Sequence, residues 1–110
     1  MIRPPLLAAA IALSLAAPAQ ARDARLSSRL YNPDEVVRID GRIGVQASVA
    51  FAEDEHIENV AIGDSTSWQV TPNKRANLLF VKPLSAKART NMTVITDRRT
   101  YFFDLAAAAQ

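Results

Sequence analysis

The chain has no cysteine and a single histidine, His56. Without thiols it can form no disulfide, offer no thiol nucleophile, and hold neither a zinc–thiolate nor an iron–sulfur centre. One imidazole excludes a multi-histidine metal site within one chain. An excess of one charge is also lacking. Thirteen Lys and Arg face eleven Asp and Glu, for a net +2. That balance gives no field strong enough to hold nucleic acid or an anionic membrane unaided. No internal repeat is present. Nor is there an apolar run of the ~20 residues that a membrane-crossing helix needs.

What is there begins with a leader. Met1-Ile2-Arg3 carries a positive charge, residues 6–17 are almost continuously apolar, and Ala19-Gln20-Ala21 is a small-x-small site. Together these describe a cleavable signal peptide, residues 1–21, cut after Ala21. No cysteine follows it to accept a lipid. Removing 21 of 110 residues leaves 89, and the loss of Arg3 lowers the net charge to +1. Export places the mature chain outside the cytoplasm. A domain of that size buries only ~60–65% of its unfolded surface, so contacts with partners are expected to add to its stability.

The mature chain reads as strands and turns. Val36-Val37-Arg38-Ile39 is rich in β-branched residues and follows the turn signal Asn32-Pro33-Asp34. Residues 45–51 alternate, with Val45, Ala47, Val49 and Phe51 on one face. Residues 57–62 form a short strand closed by Gly63-Asp64-Ser65. Two hairpins follow. One joins residues 68–70 to 78–81 through a polar tip at 73–77. The other joins 92–96 to 100–105 through Asp97-Arg98-Arg99. Residues 85–90 between them are a polar connector with room for one helical turn. About seven strands at ~8–12-residue spacing argue an all-β sandwich or barrel. The expected fold is a small antiparallel β-sandwich, immunoglobulin-like, over residues 22–105. Trp68, Phe51, Phe80, Tyr101 and Phe103 follow strand periodicity and are expected in its core. Residues 106–110 are expected to be an Ala-rich tail, or the start of a linker, with no core role.

Candidate chemistry is sparse. Glu53, Asp54, Glu55 and Glu58 crowd around His56. Clustered carboxylates suit a hard cation, but the spacing matches no calcium loop, and a solvated acidic loop is expected. His56 alone could act as a base near neutral pH, yet no nucleophile pattern accompanies it. Ser65, Thr66 and Ser67 lie in a turn, where hydroxyls usually bond to nearby backbone. Lys74-Arg75 and Arg98-Arg99 put basic pairs on two hairpin tips. If both tips share one end, they would make a patch for phosphate or an acidic partner; otherwise they serve solubility. Open strand edges could serve strand addition or stacking of copies. No catalytic, cofactor or metal residue is assigned.

The blocks Ile57-Glu58-Asn59-Val60-Ala61-Ile62-Gly63-Asp64-Ser65, Trp68-Gln69-Val70-Thr71-Pro72, Asn77-Leu78-Leu79-Phe80-Val81-Lys82-Pro83 and residues 90–105 carry a resemblance. In that order and spacing they resemble the TrbG/CagX family, the subunits encoded ninth in the VirB operon of type IV secretion systems. Tyr31-Asn32-Pro33 followed by Val36-Val37-Arg38-Ile39 is similar to that family's first strands.

The resemblance implies a structural role and no catalytic residues. It implies a periplasmic component of the outer-membrane core complex, part of a conjugative or protein-exporting channel. Its partners would be a lipoprotein and a TonB-like, inner-membrane-anchored subunit, with copies arranged as a homo-oligomeric ring. Membrane association would come through partners alone, and direct nucleic acid binding is not expected. Family members continue through a linker into a second β-domain that contacts the lipoprotein. The resemblance covers the N-terminal domain only, so a truncated, split or fragment form is expected. The alternative function is a small secreted β-sandwich binding domain for a peptide or carbohydrate. A hydrolase is a third reading.

Overall fold

The computed structural model describes residues 25–108. The chain divides into two units, Met1–Leu30 and Tyr31–Gln110. Of the first, only residues 25–30 are described, and they form neither helix nor strand. The expected signal peptide lies outside the described residues.

The second unit holds seven strands: β1 (Val36–Arg42), β2 (Ala47–Ala50), β3 (Ile57–Ile62), β4 (Trp68–Pro72), β5 (Leu78–Pro83), β6 (Arg89–Thr96) and β7 (Thr100–Ala108). They build two sheets, one of four strands in the order β1-β7-β6-β3 and one of three in the order β2-β5-β4. The two hairpins, β4–β5 and β6–β7, stand where the sequence places them. Alternation then decides which side chains meet. Met92 and Val94 of β6 and Phe103 and Leu105 of β7 are buried in one cluster with Trp68, Leu79 and Val81 from the opposite sheet. That shared core makes the molecule a β-sandwich. Gly41 lets the layers close: a Cβ there would stand 3.2 Å from the Trp68 ring and 3.2 Å from Pro83.

The structure corrects several expectations. The sandwich is not wholly antiparallel, because β1 pairs with β7 in parallel, from Val36 beside Phe102 to Arg42 beside Ala108. The tight turn from Arg42 to Val45 sends the chain straight into β2, in the other sheet. β1 therefore has no hairpin partner and takes the open side of β7. That pairing also overturns the reading of the Ala-rich tail. β7 runs on through Ala108, and Ala106 and Ala107 are buried. Their small size suits a strand packed against neighbouring backbone, and the Ala-rich composition concealed it.

Residues 85–90 form no helical turn. Ser85 and Ala88 close a turn, Lys87 takes a positive φ of 62°, and β6 already starts at Arg89. Phe80 is not in the core. β5 is apolar on both faces, so alternation alone cannot orient it. Its pairing puts Leu79 and Val81 inward, and leaves Phe80 half-buried between the exposed Ser48 and Thr71. Val45 lies ahead of β2 and is exposed, while Ala47, Val49 and Phe51 keep the inward side.

The four sheet edges are β1, β3, β2 and β4. β2 has four residues, β3 has a register shift between Ile57 and Asn59, and β4 ends at Pro72. β1 carries the exposed charges Arg38, Asp40 and Arg42. Each is a recognised way of blunting an edge against strand addition.

Candidate functional site

Three connections converge at one end of the sandwich. Asn73 Oδ1 accepts the Asn77 and Leu78 N–H groups and so shapes the β4–β5 tip. The β2–β3 loop joins that tip through Phe51 N–H to the Asn77 carbonyl and Ile57 N–H to the Ala76 carbonyl. On its other side it joins the β6–β7 tip, where the Asp97 N–H donates to the His56 carbonyl. The condition for a shared basic patch is thus met, but one of its two basic tips is paired with acids. The Arg98 guanidinium lies 2.6 Å from Asp54, and Arg99 lies 3.8 Å from Glu55. The acidic loop neutralises the second basic tip.

Glu55 is the centre of this end. Glu53, Asp54, His56 and Glu58 are exposed as a solvated loop should be, but Glu55 is fully buried. Its Oε2 accepts the Thr96 and Tyr101 hydroxyls, both at 2.6 Å, and its Oε1 accepts the Ala52 N–H at 3.3 Å. The Thr96 oxygen in turn accepts the Arg98 and Arg99 N–H groups, which fixes the β6–β7 tip. Burial alone would push the Glu55 carboxyl up. The Thr96 and Tyr101 hydroxyls, the Ala52 N–H and the Arg99 charge outweigh it and hold the carboxyl below its ordinary value. The Tyr101 phenol shifts the opposite way, raised first by burial and then by the carboxylate beside it. Nothing within the run 53–56 marks Glu55 apart from its neighbours. The two hydroxyls that hold it lie more than forty residues away.

The other candidates stay apart. His56 is exposed, with Nδ1 3.3 Å from Asp97, and its N–H donates to the same carboxylate. Asp97 is lowered chiefly by that backbone bond. Ser65, Thr66 and Ser67 follow the far end of β3 from His56. There Asp64 accepts the Thr66 hydroxyl and the Thr66 and Ser67 N–H groups, an arrangement that holds a turn and lowers its carboxyl. Among the described residues, the imidazole is paired with the Asp97 carboxylate and not with a hydroxyl.

Two surfaces complete the description. A groove of about 550 Å³ runs between the β3 and β4 edges, lined by the apolar Ile57, Val60, Ile62, Trp68, Val70 and Pro72 and by the polar Glu58, Asn59, Ser65 and Gln69. The Trp68 indole N–H has no acceptor among the described residues. On the outer face of the four-stranded sheet, Val36, Phe102, Thr93 and Ala61 lie in one cross-strand row, and Val36, Phe102 and Ile95 are exposed.

The sequence has relatives. The chain is 37% identical over 95 residues to the type IV secretion system protein virB9 of Bartonella henselae, covering 81% of this chain and 32% of that protein. It is 36% identical over 101 residues to the type IV secretion system protein PtlF of Bordetella pertussis, covering 80% and 36%. It is 32% identical over 123 residues to the virB9 protein of Brucella abortus, covering 90% and 42%. The chain thus matches only 32% to 42% of the length of these curated relatives. The family described as CagX, conjugal transfer protein, matches residues 24–110. With most of its length inside that match, this chain belongs to the CagX family of conjugal transfer proteins.

Proposed function

We propose that the domain is a structural subunit of a type IV secretion or conjugative transfer channel, working by contact and not by catalysis. The family match over residues 24–110 carries this reading. The end of the sandwich supports it: the buried Glu55 carboxylate is engaged in holding loops together, and the His56 imidazole is paired with Asp97. The strand layout supports an immunoglobulin-like sandwich. β2-β5-β4 faces β3-β6-β7 as B-E-D faces C-F-G in that fold, with the first strand moved across beside the last. In this reading residues 1–21 are a cleaved leader and the mature chain resides in the periplasm. There it joins the outer-membrane core complex through a lipoprotein and a TonB-like inner-membrane-anchored subunit, with copies in a ring built by head-to-tail contacts. A carbohydrate-binding role is less favoured, because the aromatic ring of the groove between β3 and β4, Trp68, is buried where a sugar would need an exposed ring to stack on.

The test is to express the tagged chain in cells carrying a set of type IV secretion genes, then to fractionate and cross-link. Sedimentation with the envelope and co-purification of other core subunits are expected. A tagged chain recovered only as a free soluble monomer would overturn the reading. N-terminal sequencing of the exported form should begin at Arg22.

A further inference from the structure

The two sides of the sandwich are unlike. β1 and β2 border the sheets on one side, joined through residues 43–46. β3 and β4 border them on the other, joined through residues 63–67. On the first side the chain projects. The Arg42 carbonyl accepts the Val45 N–H in a tight turn, Gly44 takes a φ of 81°, and a Cβ there would meet nothing within 4 Å. Val45 is 53% exposed. On the second side lies the groove, with Ile62, Trp68 and Val70 in its walls.

The charges of the two sides match. Beside the turn, Arg38 is held by Asp40 at 2.8 Å, while among the described residues no acid pairs with the exposed Arg42. Beside the groove stands Asp64, whose bonds to Thr66 and Ser67 all use Oδ1, and Glu58 is the charged residue of the lining. A cation thus accompanies the projection and anions accompany the hollow. The register puts both at one level. Ala47 lies beside Val81, and Val81 beside Val70, so Val45, two residues back, is level with Trp68. Arg42 bridges to Val45. A contact joining opposite sides at one level repeats by rotation about an axis along the strands, with no rise. Head-to-tail contacts of that kind close into a ring; those with a rise climb as a filament.

We propose that the Arg42–Val45 turn of one copy seats Val45 in the β3–β4 groove of the next, with Arg42 facing Asp64 across the contact. This rests on the ring reading above and names its interface. The contact is made by one turn and its side chains, so the blunted strand edges do not oppose it. An inserted turn also brings backbone carbonyls, the kind of acceptor that the buried Trp68 indole N–H lacks.

The chain has no cysteine of its own, so pairs of introduced cysteines test the contact. The tagged full chain is expressed in cells carrying a set of type IV secretion genes, as Val45→Cys with Ser65→Cys and as Val45→Cys with Gln69→Cys. All three positions are exposed, and Ser65 and Gln69 line the groove. After mild oxidation of the envelope fraction, at least one pair is expected to give a ladder running beyond the dimer on a non-reducing gel. Each single variant can go no further than a dimer. Adding Arg42→Glu should weaken the ladder about tenfold, and adding Arg42→Lys should preserve it. A chain that sediments with the envelope and co-purifies with core subunits, yet gives no ladder with either pair, would overturn this contact and leave the ring reading standing. A ladder of full strength in Arg42→Glu would overturn it too, since the contact would then owe nothing to the matched charges. A chain left wholly in the soluble fraction would overturn both readings.

Discussion

At the scale of single residues, two buried groups bear most weight. Trp68 is 3% exposed and touches both layers. Replacing it with Ala should cost about 3–5 kcal/mol, comparable with the whole stability of a small domain, and a urea melt would read the loss. Glu55 makes stability depend on pH, and the sign follows from its lowered carboxyl. Between the folded and unfolded values the unfolded chain binds the extra proton. The contribution is therefore present above the ordinary value of 4.5 and is lost as pH falls through the lower folded value. The urea midpoint should drop on acidification from pH 5 to pH 3 (roughly the range set by such shifts), and Glu55→Gln should flatten that dependence. Trp68 was legible in the sequence because a lone Trp in a strand-like run is nearly always covered. Glu55 was not, because its partners come from other strands and an acidic run has no periodicity to show which member turns inward.

At the scale of elements, the hairpins and β3 could be read from turn residues and alternation, since both signals are local. β1's partner and β7's length could not. Parallel pairing between the first and last strands is set by the crossing from β1 to β2, and Ala106 and Ala107 lack the β-branched or aromatic mark of a strand. Their pairing with Asp40 and Gly41 makes a prediction. Ending the chain after Leu105 should leave the second half of β1 unpaired. The amides of residues 40–42 that face β7 should then lose most of their exchange protection, and the stability should fall by about 1–3 kcal/mol. Unaltered protection there would mean that β1 is held by its side chains alone. Phe80 shows the same limit from another side: where both faces of a strand are apolar, only the register chooses the one that is buried.

At the scale of the molecule, both sheets contribute to one cluster of buried residues. The domain should therefore unfold as a unit. Trp68 fluorescence and far-ultraviolet circular dichroism should trace coincident transitions, and a separation between them would mean that the two layers melt independently. The sequence resemblance already pointed to this family, which the match over residues 24–110 bears out. The loop clasp at the tip end and the mixed charge there emerged only from three dimensions, where the acidic loop meets a basic tip.

The four blunted borders of the sheets have a consequence for handling and for life in the cell. A polypeptide made in quantity and gathered in one place is exposed to runaway fibre growth whenever a bare ribbon can template the next. With four residues on one border, a kinked register on the second, a proline on the third and charges on the fourth, this domain should tolerate crowding across the regime, roughly micromolar to millimolar, where such growth occurs, and still remain clear in solution.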